Sequence, residues 1–163
     1  MKTIFTAALL MVLAVPAFAA DSAKASKDTD AIRNSIGEFF GLWNKNDVKG
    51  MITHWADDAS LINPMGKAAN GKAEIEKLLT EEQTTVFKGS TAKLVSLTAK
   101  SITSNIDWID AEMTVDNAHG PDGAAMPQMK NHIAGLMQKK GGKWLISAAR
   151  PYSFMTPPPA KKN

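Results

Sequence analysis

The sequence predicts an α+β domain in which helices pack on one face of a curved antiparallel sheet. Three helix-spaced apolar patterns gather in the first half of the chain, and four longer strand-like segments follow them. The sequence has no cysteine, so a packed core and not a disulfide framework must hold it together.

The chain opens with Met1-Lys2-Thr3, an apolar run from Ile4 to Val15, and Pro16-Ala17-Phe18-Ala19-Ala20-Asp21. A charged start, a short apolar stretch and a small-x-small ending are the parts of a secretory signal. Ala17 and Ala19 fit the small positions, so residues 1–19 are expected to be removed by a cut after Ala19. The apolar run is shorter than the ~20 residues that cross a bilayer. Residues 20–28 read as a flexible leader, residues 29–154 as one domain, and residues 155–163, with Pro157-Pro158-Pro159, as a stiff tail. The expected address is periplasmic or secreted, with no membrane contact after cleavage.

Helix one is predicted from an N-cap near Asp28-Thr29-Asp30. Ile32, Ile36, Phe39, Phe40 and Trp43 lie on one side of it, with Arg33, Asn34, Glu38 and Asn44 on the other. Gly37 and Gly41 are expected to pack closely on the sheet. Asn46-Asp47 stops this helix and caps a second, in which Val48, Met51, Ile52 and Trp55 form the apolar side and Ala56-Asp57-Asp58 close the end. Ala59 to Ile62 reads as a short strand and Asn63-Pro64-Met65-Gly66 as a turn. After Gly71, residues Ile75, Leu78 and Leu79 mark helix three.

The strands follow. Thr91 to Ser101 is Thr- and Ser-rich around Leu94, Val95 and Leu97. Ile106 to Val115 alternates Ala111, Met113 and Val115 against Glu112, Thr114 and Asp116. Asn117 to Pro127 is a loop. Asn131 to Gln138 and Lys143 to Ala149 complete the sheet, joined at Lys140-Gly141-Gly142-Lys143, where two glycines accept positive φ.

Five motifs carry a family resemblance: Phe39-Phe40-x-x-Trp43-Asn44-x-x-Asp47, His54-Trp55-x-Asp57-Asp58-Ala59, Asn63-Pro64-x-Gly66, Gly71-Lys72-x-x-Ile75 and Gly142-Lys143-Trp144-x-Ile146. In this order, over Ile32 to Tyr152, the chain resembles the nuclear-transport-factor-2-like superfamily. That superfamily includes ketosteroid isomerase, scytalone dehydratase and the SnoaL-type cyclases, and an exported, uncharacterised SnoaL-like branch is the nearest likeness. The resemblance implies a cone-shaped sheet with a pocket at its open end, and frequent homodimers formed through the sheets. It implies no reaction, because the fold hosts enzymes and non-enzymes.

The candidate site residues each carry two readings. Asp58, with Asp57, could be a general base in an apolar pocket or could shape a turn. His132 shares a strand face with Ala134 and Leu136; it could look into the cone as an acid, a base or a ligand contact, or be a core histidine. His54 near a helix end and His119 in the loop read as structural and exposed, respectively. Trp43 and Trp144 read as core. The resemblance puts Trp55 and Asn63 near the cone mouth, so both are expected to contact ligand. Met113 could line a permissive apolar site, and Tyr152 could bring a hydroxyl to it. Tyr152, the only tyrosine, stands at the wrong end of the chain for the ketosteroid isomerase arrangement. Glu112 and Asp116 face away from Met113 and Val115, toward solvent.

Three histidines without ligand spacing give no metal site, and no glycine fingerprint for a dinucleotide appears, so no cofactor is expected. A formal net charge of +3, spread along the chain, gives no nucleic-acid footprint. The leading reading is an exported domain that binds a small apolar or carbonyl-bearing molecule. The alternatives are a SnoaL-like enzyme doing acid–base chemistry on a small carbonyl compound, and a dimeric interaction module.

Overall fold

Helix α1 (Ala17–Trp43) turns Ile32, Ile36, Phe39, Phe40 and Trp43 to one side, and this stripe lies buried in the hollow of the sheet. Each of these side chains contributes about 2 kcal/mol on full burial. The computed structural model describes residues 17–120 and 122–154; most of the segment read as a signal, through Pro16, and the segment read as a tail, from Met155, lie outside them. Short α2 (Val48–Ile52), strands β1 (Trp55–Ile62) and β2 (Ala68–Asn70), and α3 (Gly71–Thr84) follow. A meander then runs through β3 (Thr91–Thr103), β4 (Ile106–Asp116), β5 (Met129–Lys140) and β6 (Lys143–Tyr152). One six-stranded, unclosed sheet results, in the order β2-β1-β6-β5-β4-β3. Every pairing is antiparallel except β1 with β6, which is parallel because β6 returns beside the strand that precedes α3.

The α+β reading and all four long strands stand. Four local expectations change. Helix α1 begins before Asp28, across the segment read as leader, because no glycine or proline between Ala17 and Ser35 interrupts a run rich in alanine. Asp28 is therefore not a cap: its carboxylate accepts from Lys139 Nζ at 2.6 Å and Trp144 Nε1 at 3.2 Å, fastening α1 to the sheet. Trp55 opens β1 and does not end α2, and Ala56-Asp57-Asp58 continue the strand. Pairing of Trp55 with Ile146, and its edge-on contact with Phe39 at 6.3 Å, outweigh the helical spacing. Strand β2, three residues long, was too short to show a pattern. Gly37 and Gly41 face open space, with nothing within 4 Å of a Cβ at either.

Other local signals are realised as read. Asp47 caps α2 by accepting from Gly50 N at 2.8 Å, and Asn46 takes φ +55°. Gly141 and Gly142 have φ +58° and +79° in the β5–β6 turn. Asn44 finishes α1 by donating to Ala92 O and accepting from Ala92 N, which locks the helix end to β3.

Curvature comes from bulges. Val95 and Ile102 are extra residues on β3, and Ser147 is extra on β6. Such insertions bend and twist a strand locally. Gly135 pairs with Ala149, close to the β6 bulge, and a Cβ there would stand 2.6 Å from Ala148 O.

The glycines give a test in both directions. Gly37→Ala and Gly41→Ala are each expected to stabilise the fold by roughly 0.5–1 kcal/mol in chemical denaturation. Gly135→Ala is expected to destabilise it by about 1–3 kcal/mol, since backbone must move to make room.

Candidate functional site

Strand pleat decides what faces the hollow. On β4, Ile109, Ala111, Met113 and Val115 point inward; across the ladder Met113 meets Asn131 and Ala111 meets Ile133. With Phe39, Phe40 and Trp43 of α1, Trp55 and Leu61 of β1, Leu79 of α3 and Ile146 of β6, they enclose a partly open cavity of about 90 Å³. Its wall is almost wholly apolar.

Few polar groups break that wall. Asn63, at the end of β1, accepts through Oδ1 from Met65 N at 3.1 Å and Lys67 N at 2.8 Å. Those two backbone donors fix the amide orientation, so Nδ2 donates to Glu82 Oε1 at 2.8 Å. Glu82 is 8% exposed, and burial pushes its carboxyl above the usual carboxylate range. The Asn63 hydrogen bond pulls the other way, Glu81 adds a rise, and Lys67, ion-paired to Glu81, adds a fall. On the cavity's far side the buried Asn131 accepts from the Ser153 hydroxyl. Trp55 is 2% exposed and its indole Nε1–H has no hydrogen-bond partner among the described residues. A buried donor in that condition costs about 1–3 kcal/mol.

Of the residues expected to meet a ligand, Trp55, Asn63 and Met113 share this cavity. His132 and Tyr152 do not. His132 stands opposite Glu112 on the outer face of the sheet and stacks on Tyr152 with ring centroids 5.5 Å apart. Its sequence neighbours Asn131 and Ile133 take the inner side. A one-residue difference in pleat is what separates the two faces. Outside, His132 and Tyr152 border a shallow groove with Ser96, Thr98, Asp110 and Glu112. Asp58 is exposed on β1. Its neighbour Asp57 pairs with Lys72 at 2.9 Å and Lys140 at 3.2 Å, and those hydrogen bonds lower its pKa. His54 lies against the Ser35 hydroxyl at 3.1 Å, and burial lowers its pKa.

Glu82 is the site residue that motif reading passed over. It continues the α3 stripe of Ile75, Leu78 and Leu79 at the next helical step. A carboxylate in phase with an apolar stripe was the available signal. Among the described residues no cluster of three His, Asp or Glu side chains is placed to hold a metal ion, and no helix is long and apolar enough to cross a membrane.

Residues 32–151 match the SnoaL-like domain family. No match is found among curated proteins. Among solved structures, an uncharacterised cystatin-like protein from Caulobacter vibrioides is similar at 26% identity and TM-score 0.70, over 76% of this chain and 87% of that one. A Novosphingobium aromaticivorans protein with the provisional name scytalone dehydratase is similar in fold at 12% identity and TM-score 0.69, over 87% and 99%. A nuclear-transport-factor-2-like protein of unknown function from Shewanella oneidensis is similar in fold at 15% identity and TM-score 0.64, over 77% and 99%.

Because the folded-state pKa of Glu82 is raised, its contribution is fully present below the unfolded pKa and is lost as pH rises through the folded one. Glu82→Gln keeps the acceptor for Asn63 and cannot ionise. It is expected to be more stable than the parent at about pH 8, with the advantage shrinking toward about pH 4, in denaturant titrations at each pH.

Proposed function

The chain belongs to the SnoaL-like family, within the nuclear-transport-factor-2-like superfamily, and on that premise we propose that it is an exported domain holding a small, largely apolar molecule in its cone. The observation that carries this reading is an apolar cavity interrupted only by a few buried polar groups, the usual make-up of a small-molecule site. Size limits the ligand. An apolar cavity of roughly 150 Å³ accepts benzene, and this one is about 90 Å³. It therefore suits a molecule smaller than benzene, with flexible Met113 able to swing aside for slightly more.

A second reading has its own support. A buried carboxyl with a raised pKa inside a cavity is suited to proton exchange with a ligand. Acid–base chemistry of the isomerase, cyclase or dehydratase type on a small carbonyl compound would then fall to Glu82, because Asp58, His132 and Tyr152 lie away from the cavity. Pairing of two copies through the outer sheet face is a companion proposal, supported by exposed Trp108, Tyr152 (38%) and Phe154 (73%).

Native mass spectrometry of protein taken from its own compartment is expected to show a retained small molecule, and a mature N-terminus at Ala20. Ala111→Phe, which fills the cavity, should abolish retention; an unchanged bound mass would argue against the site. Sedimentation is expected to give a dimer that Phe154→Asp weakens.

A further inference from the structure

We propose that the outer face of the sheet binds an arginine side chain carried by a basic peptide segment, held between the carboxylates of Asp110 and Glu112 and the rings of His132 and Tyr152. This site lies outside the cone, so it stands apart from whatever the cavity holds. Ser96, Thr98, Asp110, Glu112, His132 and Tyr152 border the groove. Strand register builds it. One row across the sheet runs Ser96, Glu112, His132 and Tyr152, and the next runs Thr98, Asp110, Ala134 and Arg150. Ala134 carries only a methyl group, so little fills the space between Asp110 and the rings.

The groove carries negative charge without a counter-charge. Among the described residues neither carboxylate has a basic partner. Asp110 accepts from the Trp108 indole at 2.8 Å through Oδ2, which leaves Oδ1 open. Arg150, in the next row, donates to Ser60 O, Ser60 Oγ and Ala149 O, so its guanidinium is turned to β1 and the backbone. Like charges two residues apart on one strand face repel, and a bound cation relieves that repulsion. The aromatic wall selects the cation. His132 and Tyr152 stack with centroids 5.5 Å apart, and Phe154 packs edge-on against them at 4.7 Å and 5.5 Å. A planar guanidinium is weakly hydrated, lies flat on such rings and meets a carboxylate through two parallel N–H bonds. A lysine ammonium is strongly hydrated and has no flat face. The groove is shallow and open, which suits a side chain reaching in from a peptide.

Tyr152 is the only tyrosine, so its ring signals report on the groove directly. The probe is N-acetyl-arginine methylamide, and its citrulline analogue has nearly the same shape without the charge. Both are titrated by NMR at a dilution where sedimentation gives single copies, since pairing through this face would cover the groove. The arginine probe is expected to bind at about 1 mM, with nuclear Overhauser contacts from its δ-methylene to the Tyr152 ring. The citrulline probe should bind about tenfold more weakly, and the lysine counterpart about threefold. Glu112→Gln should weaken the arginine probe about five- to tenfold. Asp116→Asn removes a charge from the same strand face beyond the groove and should change affinity by less than about twofold. Equal binding of the arginine and citrulline probes overturns the assignment, and so does a Tyr152 ring that shows no saturable shift. Equal losses from Glu112→Gln and Asp116→Asn would reduce the effect to general attraction by an acidic face, and the groove would not be a site.

Discussion

Everything in this fold depends on seating the apolar stripe of α1 in a sheet that must curve to receive it. A flat sheet would touch the helix along one line only. The bulges at Val95, Ile102 and Ser147 and the missing side chain at Gly135 bend the strands around Phe39, Phe40 and Trp43. Two polar fastenings hold the helix, one near its middle and one at its C-terminal end. Asp28 takes hydrogen bonds from Lys139 and Trp144, and Asn44 pairs with the Ala92 backbone.

Seating is incomplete, and the cavity is what remains between helix and sheet. The stripe is broad at Trp43, where the Phe87 ring packs at a tilt with centroids 4.8 Å apart and the indole donates to Ser90. Around Trp55, Ile109 and Met113 the walls stand apart. An apolar gap weakens packing, and an ionisable group facing it costs more. Glu82 at that position is a departure from what stability alone would select. Such departures concentrate where a protein binds or reacts. The Asn63 amide makes the departure tolerable, because the turn that holds Asn63 also aims its donor at Glu82.

Much of this was readable from sequence because the signals are local. Helical spacing from Ile32 to Trp43 and alternation from Ala111 to Val115 each imply one buried face. The Gly141-Gly142 turn and the Asp47 cap follow from backbone conformation alone. Trp55 was misread because its spacing from Met51 and Ile52 suits a helix, and only its pairing with Ile146 makes it strand. The side that His132 takes is not legible in the sequence, because β5 has apolar residues on both faces. There Ala134 and Leu136 look as inward as Ile133 and Met137, and register against β4 settles the matter.

The amino-acid sequence by itself determined the element order, the α+β class, the apolar faces of α1 and β4, and the absence of disulfide chemistry. Those properties come from composition and from contacts a few residues apart. The tertiary structure alone decided which β5 face lines the cavity, that Asp28 is a fastening and not a cap, and that Asn63 and Glu82 meet. Each of these joins residues distant along the chain, so its energy exists only once the sheet has closed over the helix. The candidate site is therefore a product of register and curvature more than of any motif.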